Sequence, residues 1–284
     1  MIVDNLLTGD KKKLPDKQAN NENRENWKFI KCDVNELDEI SAVMLSNSFD
    51  YIFHYAAMVG VERTIANPVK VLDDIEGIKH ILNLSRNTGV KRVFYSSSSE
   101  VYGEPLEYPQ NEETTPLNSK LPYAIVKKAG EAFLMAYYKE YGLEYTIFRL
   151  FNTYGPKQTT DFVMSKFIDL ARKNKDITVY GKGSQTRTFC YIDDNIEATI
   201  NAFLHNKYVN DIVNVGSDIE IPILELAQQI IQLTHSKSKI VHLPPLEEGD
   251  MTRRKPDITK MKNILNRKLL PLSEGMKKVI EFIE

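Results

Sequence analysis

Along the first half of the chain, short apolar runs closed by turn residues alternate with longer stretches of helical period, and few folds accept that rhythm. Short strands joined by long helices cannot be hairpins. They must run parallel, with the helices crossing over the faces of one sheet. The pattern predicts strands at Trp27–Cys32, Tyr51–Tyr55, Arg92–Ser97 and Tyr145–Leu150. It predicts helices at Glu36–Asn47, Pro68–Thr88 and Tyr123–Tyr141, the last two running up to Gly89 and Gly142, residues suited to the left-handed helix cap.

After Asn152 the rhythm loosens. A helix is expected at Val163–Lys173, a strand at Ile177–Tyr180, a helix from near Asp194 and a strand at Ile212–Val215. A helix after Pro222, a strand at Ile240–Leu243 and two short helices complete the tail. The expected fold is α/β, a doubly wound parallel sheet with a smaller α+β lobe. Residues 1–151 and about 181–211 are assigned to the sheet domain, and 152–180 with 212–284 to the lobe. The polar stretch Asp10–Glu25 is read as a solvated loop.

Composition narrows the partners. With 42% hydrophobic and 27% charged residues over 284 positions, the chain can bury a sizeable core. A net charge of −2 creates no general field for nucleic acid or anionic lipid, so the expected partner is small and any phosphate site must be local. Cys32 and Cys190 have no paired spacing, and the five histidines show no ligand pattern, so a reduced, metal-free, cytoplasmic protein is expected. No apolar run reaches the roughly 18 residues of a membrane span.

Chemistry concentrates in two segments. "YAIVK" places Tyr123 and Lys127 one helical turn apart, where a cation beside a phenol favours phenolate and makes tyrosine a usable base. In "VFYSSSSEVYG" an apolar strand runs straight into four serines and an acid. Ligands of an open parallel sheet bind at the carboxyl ends of its strands, so these hydroxyls face a site.

Together with "RLFNTYGP", "VYGKGSQTRTF", "YIDD" and "EEGDMTRRKPD", these segments resemble the NAD-dependent epimerase/dehydratase family of extended short-chain dehydrogenase/reductases, and the likeness spans nearly the whole chain. The resemblance implies a Rossmann-like sheet, NAD as cofactor, a nucleotide-sugar substrate that is UDP-linked, and a homodimer. It implies that Tyr123 takes the proton of the sugar 4-hydroxyl as hydride leaves C4, that Lys127 holds the nicotinamide ribose, and that Ser98 bonds the same sugar oxygen. A 4-keto sugar is the intermediate.

The opening "MIVDNLLTGD" then resembles the end of the family's second strand, with Asp4 and Asn5 on the adenosine ribose, Asp33 and Val34 at the adenine edge, and Tyr55, Ala56 and Ala57 along the cofactor. By this reading the first strand, its glycine-rich turn and the first helix are missing, and no Gly-x-x-Gly-x-x-Gly run occurs in the chain. In the second lobe the resemblance implies Asn152 near the sugar, Val163 and Tyr180 around the base, Arg187 on the diphosphate and Asp250 on the ribose, with Arg254 assisting. Two departures stand out: Glu247 and Glu248 replace an expected arginine, and Asp74 and Ile78 replace an asparagine and a threonine.

Ser99-Glu100 lacks the Asp-Glu acid pair of a 4,6-dehydratase, which disfavours elimination of water. "SEVYGEPLEYPQ" resembles UDP-glucuronate decarboxylases, whereas "AAMVGVERTIANP" resembles 4-epimerases. The expectation leans to a UDP-sugar 4-epimerase, with the decarboxylase as the alternative and a degenerate, non-catalytic dinucleotide-fold protein as a further one.

Overall fold

The computed structural model describes residues 1–15, 27–104, 106–245 and 251–283. Four parallel strands form the central sheet: β3 (Tyr51–His54), β4 (Arg92–Ser98), β5 (Glu144–Leu150) and β10 (Asp211–Val215), in the order β10-β5-β4-β3. A separate parallel pair, β1 (Ile2–Asp4) and β2 (Phe29–Lys31), lies outside that ladder.

Alternation along β4 shows how the sheet is covered. Val93 and Tyr95 face one core with Ile81 and Leu82 of α4 (Asp74–Thr88), Val126 and Leu134 of α5 (Pro122–Tyr141), and Val43 of α1 (Leu37–Leu45). Phe94 faces the other core with Val213, Ala198 of α7 (Ile192–Leu204) and Met261 of α9 (Thr259–Leu265). All seven residues of β4 are buried, so the sheet is covered on both faces, as a doubly wound parallel sheet requires. The Rossmann-like α/β architecture expected from the sequence is the one observed.

A smaller body follows β5. It contains β6 (Thr153–Tyr154), α6 (Val163–Arg172), β7 (Ile177–Tyr180), β8 (Thr186–Thr188), β9 (Cys190–Tyr191), β11 (Glu220–Pro222), α8 (Ile223–Leu233), β12 (Ile240–Leu243) and α10 (Leu272–Ile283). The pairs β12-β7 and β6-β9 are parallel, and β11-β8 is antiparallel. Phe167, Ile168, Leu226, Ile230, Met276 and Val279 make its core.

Three expectations are corrected. The domain boundary at 212 fails, because Asp211–Val215 pairs with Thr146–Leu150 inside the main sheet, and α9 packs beneath it. Thr186–Thr188, assigned to the sheet domain, pairs instead with β11. The single helix over Pro68–Thr88 is two, α3 (Pro68–Leu72) and α4, preceded by α2 (Val61–Ala66). Asp73 keeps right-handed helical angles at the break, so the hydrogen-bond ladder lapses without a turn of the chain. Of the charged stretch Asp10–Glu25, Lys11–Lys13 makes a 3-10 turn, and residues 16–25 lie outside the described set. Among the described residues no helix is long and apolar enough to cross a membrane.

Candidate active site

β4 delivers its serines to the carboxyl edge of the sheet, and the chain then tightens into a 3-10 turn, Ser99–Tyr102. Ser98 is extended at the start of that turn, and its Oγ accepts the Glu100 amide at 3.2 Å. This fixes Glu100 beside Ser98. Pro122 opens α5 at a position where its missing N–H leaves no helical bond unmade, and Tyr123 follows within the first turn. The Ser98 side chain acts to hold the Tyr123 pKa down.

One turn later Lys127 is buried, with Nζ 5.8 Å from the centroid of the Tyr123 ring and donating to the Ser96 carbonyl at 2.7 Å. The helix lies close to β4 here. A Cβ on Gly130 would come within 2.4 Å of the Tyr95 hydroxyl, so glycine permits the approach that brings Tyr123 and Lys127 to the strand end.

Arg254 reaches this place from the far end of the chain. Its Nη2 lies 2.7 Å from Glu100 Oε1, with side chains 6% and 15% exposed. Glu100 Oε2 and Arg254 Nε are buried without a hydrogen-bond partner. A buried charged pair with orphaned polar atoms is costly to keep unless a ligand completes it.

Burial pushes the Tyr123 phenol far above its ordinary pKa. Ser98 and Arg254 pull it back, while Glu100 and Asp74 push it further up. Burial also lowers Lys127 to about 8, against the upward pull of Asp74 and Glu131. Burial is thus the largest influence on the Tyr123 phenol in this structure, and the Lys127 ammonium hydrogen-bonds the Ser96 carbonyl while standing 5.8 Å from the ring centroid.

On the other side of the sheet edge, Asn5 Nδ2 donates to Asp33 Oδ2 at 2.8 Å, joining two residues expected to face adenosine. Asp4 is exposed, with Oδ1 accepting the Leu6 amide. The Val34 carbonyl meets His80 Nδ1 at 3.2 Å. A groove of about 720 Å³ opens here, lined by Asn5, Ile30, Cys32, Asp33 and Val43 among others. Tyr55, Ala56 and Ala57 follow β3, and the Tyr55 hydroxyl shares a 3.3 Å hydrogen bond with Thr199. Asp74 accepts from the Met58 amide at 2.7 Å and from Asn35 Nδ2 at 3.2 Å, so both partners are donors and a carboxylate suits the place.

These groups fit the two nucleoside ends of a dinucleotide: a carboxylate acceptor for ribose hydroxyls at Asp4, another for the adenine edge at Asp33, and an ammonium at Lys127. Among the described residues no glycine-rich turn opens a helix toward a diphosphate between them.

The lobe residues are more dispersed. Asn152, at φ 35°, donates Nδ2 to the Thr188 carbonyl at 3.0 Å, so its amide nitrogen ties the end of β5 to β8. Val163 opens α6, Tyr180 closes β7, and the buried Arg187 sits mid-β8 with Nη1 on the Thr186 carbonyl at 2.8 Å. Asp250, Glu247 and Glu248 lie outside the described residues. Sequence reasoning missed a latch: Glu104 accepts from both the amide and the hydroxyl of Thr252, holding the loop after the serines against the Arg254 segment. No spacing signal announces partners 148 positions apart.

The model of the NAD dependent epimerase/dehydratase family matches residues 3–216. A UDP-N-acetyl-alpha-D-glucosaminuronate decarboxylase of Bacillus cytotoxicus is 38% identical over 88% of this chain and 81% of its own length. UDP-glucuronic acid decarboxylase 1 of Danio rerio is 35% identical over 99% of this chain, which spans 66% of that protein. The crystal structure of a UDP-glucose 4-epimerase from Thermotoga maritima with UDP-glucose superposes with a TM-score of 0.90 at 27% identity, covering 99% of this chain and 89% of that one. With sequence motifs, fold and site in agreement, the chain belongs to the NAD dependent epimerase/dehydratase family.

Proposed function

We propose that the protein decarboxylates a nucleotide-linked uronic acid, UDP-linked by similarity to its relatives, through a 4-keto intermediate. The observation that carries the reading is the Glu100–Arg254 pair beside Tyr123. A neutral hydroxymethyl group at C6 would leave the buried Arg254 Nε facing nothing charged. A C6 carboxylate supplies the planar acceptor that a guanidinium fork matches.

Tyr123 and Ser98 hold the sugar O4 and carry its proton. Held by Asp4, Asp33 and Lys127, NAD would supply hydride acceptance at C4 and its return once carbon dioxide has left. With C4 a ketone, the C6 carboxylate lies β to it. Breaking the C5–C6 bond releases carbon dioxide, and the bonding pair becomes an enolate whose oxygen the Tyr123 and Ser98 hydroxyls stabilise. Glu100, beside Ser98 and paired with Arg254, is assigned the delivery of a proton to C5, and Arg254 the orienting of the carboxylate before it leaves. The product is the nucleotide-linked pentose.

The test is to offer UDP-glucuronate, UDP-N-acetylglucosaminuronate and UDP-glucose separately with NAD, following products by proton NMR and trapping carbon dioxide. Carbon dioxide from a uronate, abolished in Arg254→Ala, is expected. A 4-epimer formed without carbon dioxide, unaffected by Glu100→Gln, would overturn the reading. That outcome would favour the 4-epimerase, which the likeness to the Thermotoga maritima enzyme supports.

A further inference from the structure

Beneath the Tyr123 site runs a chain of buried polar side chains that no step above uses. Ser97 Oγ donates to Glu131 Oε1 at 2.5 Å, and Arg149 donates to both oxygens of Glu131 at 3.0 and 2.8 Å. Arg149 Nη1 also donates to the Tyr102 hydroxyl at 2.9 Å and to the Glu112 carbonyl at 3.2 Å. The Tyr102 hydroxyl donates to Asn214 Oδ1 at 2.8 Å, and Asn214 Nδ2 donates to the Gln110 carbonyl at 2.9 Å. The backbone of Gln110 then donates to the Lys255 carbonyl at 2.7 Å and accepts from the Asp257 amide at 2.8 Å.

The ends of this chain coincide with the parts of the site. Ser97 precedes Ser98 on β4, Glu131 is one helical turn beyond Lys127 on α5, and Lys255 follows Arg254. Tyr102 and Asn214 are 0% exposed, so no ligand touches them. Well-packed apolar residues often stabilise a core as well as a buried ion pair does, whereas a fully satisfied polar network selects one arrangement of the elements it joins.

We infer that this network is a positioning device which fixes the Arg254 segment relative to Ser98, Tyr123 and Lys127, so that Tyr102 and Asn214 set how the Arg254 guanidinium meets a substrate carboxylate. The inference rests on the uronate reading above. Tyr102 and Asn214 are positioning residues, acting through Lys255 and the backbone on either side of it. The neutral parts of a nucleotide sugar do not depend on them.

The experiment is calorimetric binding of UDP-glucuronate and UDP-glucose to the full chain, without NAD. Wild type, Tyr102→Phe and Arg254→Met are compared, and thermal melting verifies that each is folded. Tyr102→Phe retains the ring, which stands 4.9 Å from the Arg149 guanidinium carbon, and removes only the hydroxyl. The expected result is a preference for the uronate in wild type that falls about tenfold in Tyr102→Phe, where UDP-glucose affinity is unchanged, and that disappears in Arg254→Met. If the phenylalanine variant does not fold, Asn214→Ser carries the same expectation, since it keeps its own amide on Glu112 Oε1 but drops the link to Gln110. A preference lost in Arg254→Met but intact in the network variants would overturn the positioning inference alone. No uronate preference in wild type would overturn the uronate reading and this inference with it.

Discussion

At Tyr123 two influences of opposite sign meet: burial keeps the phenol protonated, and Ser98 and Arg254 favour losing the proton. In the proposed reaction the hydroxyl moves a proton more than it holds a ligand. Tyr123→Phe is expected to lower turnover by about 10²- to 10⁴-fold while nucleotide-sugar affinity, read by calorimetry, changes little. His54 makes a prediction about acid. Buried against the Tyr95 ring and lowered to about 3 by burial and by the charge on Lys127, it stays neutral in the folded state, whereas the unfolded chain takes up a proton near 6.5. The unfolded state binds more protons between those values, so stability is present above 6.5 and is lost as pH falls toward 3, with a slope of up to about 1.4 kcal/mol per pH unit. Urea titrations at about pH 7 and about pH 5 are expected to show a smaller loss in His54→Gln than in wild type.

At the scale of elements, the site depends on how closely α5 approaches β4. Gly130→Ala would press a methyl group onto the buried Tyr95 ring, which lies between His54 and Lys127, at a cost of about 1–3 kcal/mol measured by chemical denaturation. A full-strength ring repacking with no loss of stability would refute that close contact. The elements themselves were legible because their apolar period is strong. Tyr123 and Lys127 advertise a shared helix face, and the run of serines after an apolar strand marks the carboxyl edge of the sheet. The lobe boundary was not legible: Asp211–Val215 has the apolar character of any buried strand, and nothing local tells which sheet it joins. Nor was the Glu100–Arg254 pair, since sequence places the two residues on different bodies and only the folded chain brings them within 2.7 Å.

Over the whole molecule, stability is unevenly distributed. β4 and β5 are seven-residue strands paired in the middle of the main sheet, whereas β1 and β2 are three-residue strands that, among the described residues, pair only with each other and are half exposed. Native-state hydrogen exchange is expected to open the amides of residues 2–4 and 29–31 well before those of β4 and β5, and equal protection would contradict the separate ladder. The contacts that assemble the site are unusual in their span. Asn111 meets Asp257 across 146 positions and Glu104 meets Thr252 across 148, about half the chain in each case. Closing so large a loop carries an entropic cost that nearby contacts do not, so these pairings are expected to form late in folding. On a ribosome, the strand bearing Ser98 and the helix bearing Tyr123 are made well before Arg254, which lies 154 positions beyond Glu100. The candidate site is thus complete only once both ends of that span have been made and folded together, so its assembly reports on both.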